Sequence, residues 1–193
     1  WTAEKFAAFL DRHEVYFPST FSRPSFLDNH DMNRFLWVAH GDIRKLRLAA
    51  LCQFTLIGPP IIYYGTEVGL SQPRDVMQHG RAIHEETRMP MLWGDQHNQD
   101  LLGFYKSLIQ LRAAHPALRY GTRQTLFANE KVLVYRRNVE NESLVVVLNL
   151  SEQETTVELE SPDPVILFAS DSKYANQIDQ GRKKIVLPGL SGA

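Results

Sequence analysis

The chain has 193 residues, of which 44% are hydrophobic and 22% are charged. This length predicts one medium domain or two small ones, with enough apolar residues for an ordinary core. The net charge is −1, with acidic and basic residues interspersed, so the composition argues against partners such as nucleic acid or an anionic membrane.

The sequence shows no pattern typical of a membrane span, a signal peptide or a disulfide-rich protein. The apolar runs are shorter than the roughly 18 residues that a membrane-spanning helix needs. Trp1 opens the chain without a preceding Met and without a basic-then-apolar signal pattern, so we expect this start to be a cut. Cys52 is the only cysteine, which excludes an internal disulfide framework, and its apolar neighbours predict a small core residue.

The first part of the chain, to about residue 119, alternates helical and strand-like segments. Apolar residues spaced by three and four predict helices over 2–13, 42–57 and 99–113, with Thr2, Asp42 and Asn98 at their starts. Short strands are predicted over 25–29 and 60–64. We expect these strands to be parallel neighbours with the middle helix packed on one face. Residues 68–97 form a long irregular segment, of a length typical of functional or mobile loops.

The second part, about 120–193, has no helical pattern. Strand-like runs occupy residues 124–128, 132–137, 144–150, 155–159, 165–169 and 183–187, separated by turn-forming residues. In the run at 155–159, apolar and polar residues alternate, as in a half-buried antiparallel strand. These runs predict a small antiparallel β-sandwich, packed against the helix at 99–113.

Polar residues follow both of the predicted early strands. Asp28-Asn29-His30-Asp31 ends the first, and Gly65 and Glu67 end the second. Sheets and barrels of the α/β class carry their chemistry at the carboxyl ends of strands. From the residues alone, a helix-capping polar turn remains open for the first segment and a solvated loop position for Glu67. Gly65 predicts a positive φ angle or a close backbone approach.

Four segments, in this order, resemble glycoside hydrolase family 13, the α-amylase family. Residues 26–31 and 61–67 are similar to the ends of its seventh and eighth barrel strands. Residues 88–93 and 101–112 are similar to the lead-in and the eighth barrel helix. The resemblance implies a fold of class α/β plus all-β. Residues 1–119 would form the C-terminal portion of a (β/α)8 TIM barrel, strands 7 and 8 with flanking helices, and 120–193 the antiparallel β-sandwich.

The resemblance also implies hydrolysis of α-glucans with retention of anomeric configuration. By this resemblance Asp31 stabilises the transition state, and His30 and Asn29 bind substrate, although Asn29 is also expected to shape the turn. Supporting positions are Asp28, Gly65 and Glu67, together with Arg34. We expect Arg34 to pair with Asp31 or Asp28, or else to lie on the surface of a new helix.

Two carboxylates that the reaction needs have no match here. In the family, the nucleophile Asp and the acid/base Glu follow the fourth and fifth strands, upstream of Trp1. Glu85 and Glu86 are expected to be solvated. We expect no cofactor and no metal site, because His79, His84 and Glu85 lack a fixed ligand scaffold.

The expected partners follow from the same resemblance. They are an α-glucan or maltooligosaccharide substrate and the missing N-terminal barrel portion, with self-association through exposed barrel edges in its absence. The chain alone is expected to be inactive. Residues 88–93 are similar to cyclomaltodextrinase, neopullulanase and oligosaccharide-acting members, but residues 68–87 depart from them. The oligosaccharide, and hydrolysis versus transglycosylation, therefore stay open.

Two alternatives belong to other classes of protein. The first is a glucan-binding module that uses aromatic residues of the β region, namely Tyr120, Phe127, Tyr135, Phe168 and Tyr174. The second is a non-catalytic relative that serves as an interaction protein. The presence of both His30 and Asp31 argues against the second alternative.

Overall fold

The computed structural model describes residues 2–18, 20–159, 165–171, 178–179 and 184–193. The α-helices are α1 (Ala3–Tyr16), α2 (Phe35–Val38), α3 (Ile43–Thr55), α4 (Gln99–Ala114) and α5 (Pro116–Tyr120). The strands are β1 (Ser25–Phe26), β2 (Pro60–Ile61), β3 (Met77–Gln78), β4 (Arg81–Ala82), β5 (Thr122–Ala128), β6 (Val132–Val139), β7 (Glu142–Asn149), β8 (Thr155–Glu158), β9 (Ile178–Asp179), β10 (Lys184–Leu187) and β11 (Ser191–Gly192). Three short 3-10 helices cover Thr66–Val68, His84–Thr87 and Gly94–Gln96. Within this described part, every helix is too short or too polar to cross a lipid bilayer.

The three long helices begin where the sequence predicts. Side-chain oxygens of Thr2, Asp42 and Asn98 accept hydrogen bonds of 2.9–3.3 Å from backbone N–H groups of the first turn. Each bond satisfies a donor that the start of a helix leaves unpaired. The N-cap residues therefore fix the starts of α1, α3 and α4.

The extents of two short helices, α2 and α5, were not predicted, because four or five residues show too little periodicity. Pro116 explains α5. A proline ends the preceding helix, but it fits the first turn of the next one, where its missing N–H would be unpaired anyway. Glu142 of β7 completes this start by accepting a 2.7 Å hydrogen bond from the N–H of Ala117.

Strands β1 and β2 pair in parallel, which confirms the predicted arrangement. Each strand has only two residues, so the predicted extents of 25–29 and 60–64 are wrong. Within the described residues, each of the two strands pairs only with the other, so hydrogen bonds to a second neighbouring strand do not extend it. Gln53 of α3 joins the two strands by donating to the carbonyls of Ser25 (2.8 Å) and Ile61 (3.1 Å).

Residues 68–97, expected to be irregular, contain a β-hairpin. Strands β3 and β4 pair antiparallel around His79 and Gly80, which have φ angles of +50° and +75°. Glu86 follows the hairpin and is buried, so its predicted solvation is wrong. Its carboxylate pairs with Arg74 at 2.9 Å and accepts a hydrogen bond from Gln78 at 3.3 Å, so the carboxylate has partners in its buried position.

The β region forms two antiparallel sheets, as predicted. One has the order β11-β7-β6-β5 and the other β8-β10-β9. The two sides of β6 face different cores. Val132 and Val134 pack with Ile185 and the rest of the second sheet, whereas Leu133 and Tyr135 pack with the helices. The four-stranded sheet is therefore the middle layer between helices and the second sheet.

The helix core differs from the prediction in two details. The four-stranded sheet lies mainly against α1, α3 and α5 rather than against the helix at 99–113. The run at 165–169 forms no strand, although the ring of Phe168 packs 5.4 Å from that of Phe104. Cys52 packs against this core as predicted, and burial raises the pKa of its thiol to about 12.

Candidate active site

Asp31 lies among three nitrogen-bearing side chains in the loop that follows β1. Its Oδ2 is 3.0 Å from Nε2 of His30. Its Oδ1 is 3.2 Å from Nη2 of Arg88 and 3.6 Å from Nδ1 of His84. The side chains of Asp31 and His30 are 51% and 61% exposed, so a ligand can reach both. A carboxylate can accept further hydrogen bonds at its remaining lone pairs.

Asp28 and Asn29 shape the turn that presents Asp31. Oδ1 of Asn29 accepts a 2.8 Å hydrogen bond from the N–H of Asp31. Asp28 is buried and accepts hydrogen bonds from the N–H of Phe35 at 2.9 Å and from Oγ1 of Thr66 at 2.8 Å. It therefore caps α2 and joins the loop after β1 to the loop after β2. Substrate binding by Asn29 stays a prediction.

Arg34 does not make either predicted ion pair, nor does it lie on the surface. It is completely buried and donates to two backbone carbonyls, that of Tyr64 at 2.7 Å and that of Thr87 at 2.9 Å. Its guanidinium also lies 4.0 Å from the ring centroid of Tyr63. A planar fork of donors can bind two carbonyls at once, so Arg34 holds loops together and leaves the ion pair with Asp31 to Arg88.

Arg88 and His84 are the two contacts of Asp31 that sequence reasoning did not identify as site residues. Arg88 belongs to a family-like segment, which was a usable signal. Besides contacting Asp31, it donates from Nε to the carbonyl of His30 at 3.2 Å. His84 carried no signal, because it lies in a segment without periodicity and was considered only as a metal ligand.

Gly65 and Glu67 lie in the loop after β2, where Gly65 has the predicted positive φ, +86°. This loop contacts the loop after β1 at Asp28, through the hydroxyl of Thr66, and not at Asp31. Oε2 of Glu67 and the hydroxyl of Tyr105 are buried without a hydrogen-bond partner. Burial, and then the negative charges of Asp28 and Glu67, raise the pKa of Tyr105. Tyr105 therefore stays protonated beside these carboxylates.

Gly65 provides a test of this loop. A Cβ atom there would lie 2.5 Å from Cδ2 of the buried Leu70, on a backbone that disfavours side chains. We expect Gly65→Ala to lower the free energy of unfolding by about 2–4 kcal/mol, from backbone strain and overpacking. Gly103→Ala is the control, since its Cβ meets open space in α4 and should stabilise by about 0.5–1 kcal/mol. Urea unfolding measures both, and equal effects would contradict the account.

Metal binding finds no support in this part of the molecule. Among the residues that the structure describes, no group of three or more His, Cys, Asp or Glu side chains is placed to hold a metal ion. His79 lies in the hairpin turn, whereas His84 faces Asp31, so the two histidines have different surroundings.

Models of two known families match parts of this chain. A family model described as the α-amylase catalytic domain matches residues 1–99, more than half of the chain. The chain belongs to the α-amylase family. A second model, the C-terminal domain of maltogenic amylase, matches residues 123–174.

Individual relatives agree with this family. The chain is 39% identical over 155 residues to α-amylase 2 of Dictyoglomus thermophilum and 41% identical over 152 residues to a cyclomaltodextrinase of a Bacillus species. These alignments cover 80% and 76% of this chain but only 27% and 26% of the relatives. The chain thus spans about a quarter of their length.

A solved α-amylase structure from H. orenii also matches. The alignment covers 99% of this chain and 44% of the H. orenii chain, with a TM-score of 0.79 and 25% sequence identity. The helices and sheets described above are therefore consistent with the fold of α-amylase-family enzymes.

Proposed function

We propose that this chain supplies Asp31 as the transition-state-stabilising carboxylate of a retaining α-glucan hydrolase. In this proposal, β1 and β2 are the seventh and eighth strands of a (β/α)8 barrel formed by residues 1–119, and residues 120–193 are the β domain that follows. The observation that supports it best is the exposed Asp31 carboxylate, 3.0 Å from His30, in the loop after a parallel strand.

The chemistry follows from how retaining enzymes work. A nucleophile and an acid/base flank the scissile bond, and the sugar ring passes through an oxocarbenium-like transition state. Asp31 accepts hydrogen bonds from ring hydroxyls of that sugar, and these strengthen as the ring distorts. His30 is placed to contact the same sugar. Arg88 contacts the other carboxylate oxygen, Oδ1, at 3.2 Å.

The nucleophile and the acid/base are not among these 193 residues in this proposal. A transition-state stabiliser without a nucleophile has no covalent intermediate to form. The other partner is therefore a polypeptide segment that supplies the remaining six strands, and we call the resulting protein the complete enzyme. Without it, Phe26 and Ile61 of the two strands stay 46% and 49% exposed, which favours self-association.

The substrate class is α-glucan, such as maltooligosaccharides. It rests on the family and on relatives named α-amylase and cyclomaltodextrinase. A glucan-binding module built on the β region has less support. Tyr135 is completely buried and Phe168 packs in the core, although Tyr120 and Phe127 are exposed. Tyr174 lies outside the described residues.

Activity of the separate parts tests the proposal. We expect no detectable hydrolysis of maltooligosaccharides, cyclodextrin or pullulan by the 193 residues alone, and hydrolysis by the complete enzyme. The assay is release of reducing ends, with light scattering to record the association state. Turnover by the purified 193-residue chain would show that one of its own carboxylates is the nucleophile.

A further inference from the structure

His84 aims an unpaired nitrogen at the Asp31 carboxylate. Its Nδ1 is shielded from solvent, lacks a hydrogen-bond partner and lies 3.6 Å from Oδ1 of Asp31. Leaving a buried nitrogen without a hydrogen-bond partner costs free energy, so such an atom in a native structure calls for a functional explanation. A closer approach of about half an ångström would bring the pair into hydrogen-bonding range.

The backbone around His84 is held in place. Oγ1 of Thr87 lies within hydrogen-bonding distance of the carbonyl oxygens of both His84 (2.9 Å) and His30 (2.8 Å), which share its one hydroxyl proton. The carbonyl of Thr87 in turn accepts from the buried Arg34. Next to them, Glu86 is buried and paired with Arg74. The short helix His84–Thr87 is thereby fixed against the His30–Asp31 backbone.

We propose that His84 is a positioning residue for Asp31, an inference that rests on the proposed function. Its Nδ1–H donates to Oδ1 of Asp31 while His30 engages Oδ2, so the plane of the carboxylate is fixed by an imidazole on each oxygen. Because Arg88 also contacts Oδ1, the lone pair that remains on Oδ2 is then directed towards the sugar. Because hydrogen bonds at active sites tighten in the substrate complex, we expect the Nδ1–Oδ1 distance of 3.6 Å to shorten when the sugar binds.

Arg88 contacts the same oxygen, so the two roles must be separated. Its guanidinium also binds the carbonyl of His30 and its side chain is 47% exposed. In contrast, the described contact between the His84 side chain and this site is that of Nδ1 with Asp31. The amide nitrogen of an asparagine at position 84 can occupy nearly the same place as Nδ1. Variants at position 84 therefore test the donor without altering Arg88.

The experiment compares kcat and KM for maltotetraose in the complete enzyme. We expect His84→Ala to lower kcat about 10- to 100-fold while KM changes less than about threefold, because removing one positioned donor acts mainly in the transition state. His84→Asn should recover kcat to within about threefold of the wild type. His79→Asn is the matched control in the exposed hairpin turn and should leave both constants unchanged. Unchanged kcat in His84→Ala, or no recovery in His84→Asn, would overturn the inference.

A double-mutant comparison shows whether His84 acts through Asp31. In an Asp31→Asn background, His84→Ala should cost little further activity, and an equal loss in both backgrounds would contradict the inference. A different result would contradict the proposed function itself. That result is a wild-type complete enzyme that does not hydrolyse maltotetraose, or an Asp31→Asn variant that is nearly as active as the wild type.

Discussion

Replacing Arg34 with methionine is expected to lower the free energy of unfolding by about 2–4 kcal/mol. Methionine retains much of the volume but none of the donors. The carbonyls of Tyr64 and Thr87 would lose bonds of 2.7 and 2.9 Å, and because Thr87 is completely buried, its carbonyl would have no water to replace the donor. Each unsatisfied buried acceptor costs about 1–3 kcal/mol, and the contact with Tyr63 is lost as well.

The net effect is smaller than the sum of these losses. Nη2 of Arg34 is itself buried without a hydrogen-bond partner, so removing the cation relieves part of its desolvation. Lysine should not rescue the protein, because a single ammonium cannot bind both carbonyls in the geometry of the guanidinium fork. We therefore expect Arg34→Lys to lie close to Arg34→Met.

Thermal unfolding is the measurement for this pair of variants. For a chain of this size, the expected loss corresponds to a Tm lower by about 5–15 °C. Arg81→Met, at an exposed position in β4, is the control and should shift the Tm by less than about 2 °C. A Tm for Arg34→Met equal to that of the control would show that Arg34 does not hold these loops together.

Local patterns predicted the elements that frame the site. The spacing of apolar residues and the N-caps Thr2, Asp42 and Asn98 located α1, α3 and α4, because helix periodicity and capping are properties of neighbouring residues. The parallel pairing of β1 and β2 also followed from strand, helix and strand in succession. Gly65 was recognisable because a positive φ is a local requirement.

The contacts that complete the site depend on distant parts of the chain. Arg34 binds the carbonyl of Thr87, 53 residues further on, and His84 faces Asp31 across a similar separation. No spacing within residues 68–97 indicates the hairpin, or the short helix after it whose buried Glu86 anchors the segment. Arg34 was therefore expected to contact nearby carboxylates, the rule for an exposed arginine, whereas tertiary packing buried it.

Asp31→Asn is expected to reduce the turnover of the complete enzyme by about 10²- to 10⁴-fold. Asparagine keeps the size of the side chain but removes the charge and one acceptor oxygen. In the proposed mechanism, hydrogen bonds to the sugar hydroxyls contribute several kcal/mol in the transition state, and each 1.36 kcal/mol is tenfold in rate. KM should change much less, since the loss falls on the transition state.

The fold should tolerate this substitution. The Asp31 side chain is 51% exposed, and the backbone N–H that closes the turn, donated to Asn29, is unaffected. Asp95→Asn is the matched control, because Asp95 is an exposed carboxylate in the short 3-10 helix before α4 and has no role in the proposed chemistry. Its kcat should equal that of the wild type.

The most direct measurement of the central claim is kcat for maltotetraose in the complete enzyme. Asp31→Asn and Asp95→Asn are assayed side by side, after both variants are shown to have the Tm of the wild type. The account predicts a loss of at least 100-fold for Asp31→Asn and none for Asp95→Asn. A kcat for Asp31→Asn within threefold of the wild type would contradict it, and Asp31 would then not be the carboxylate that stabilises the transition state.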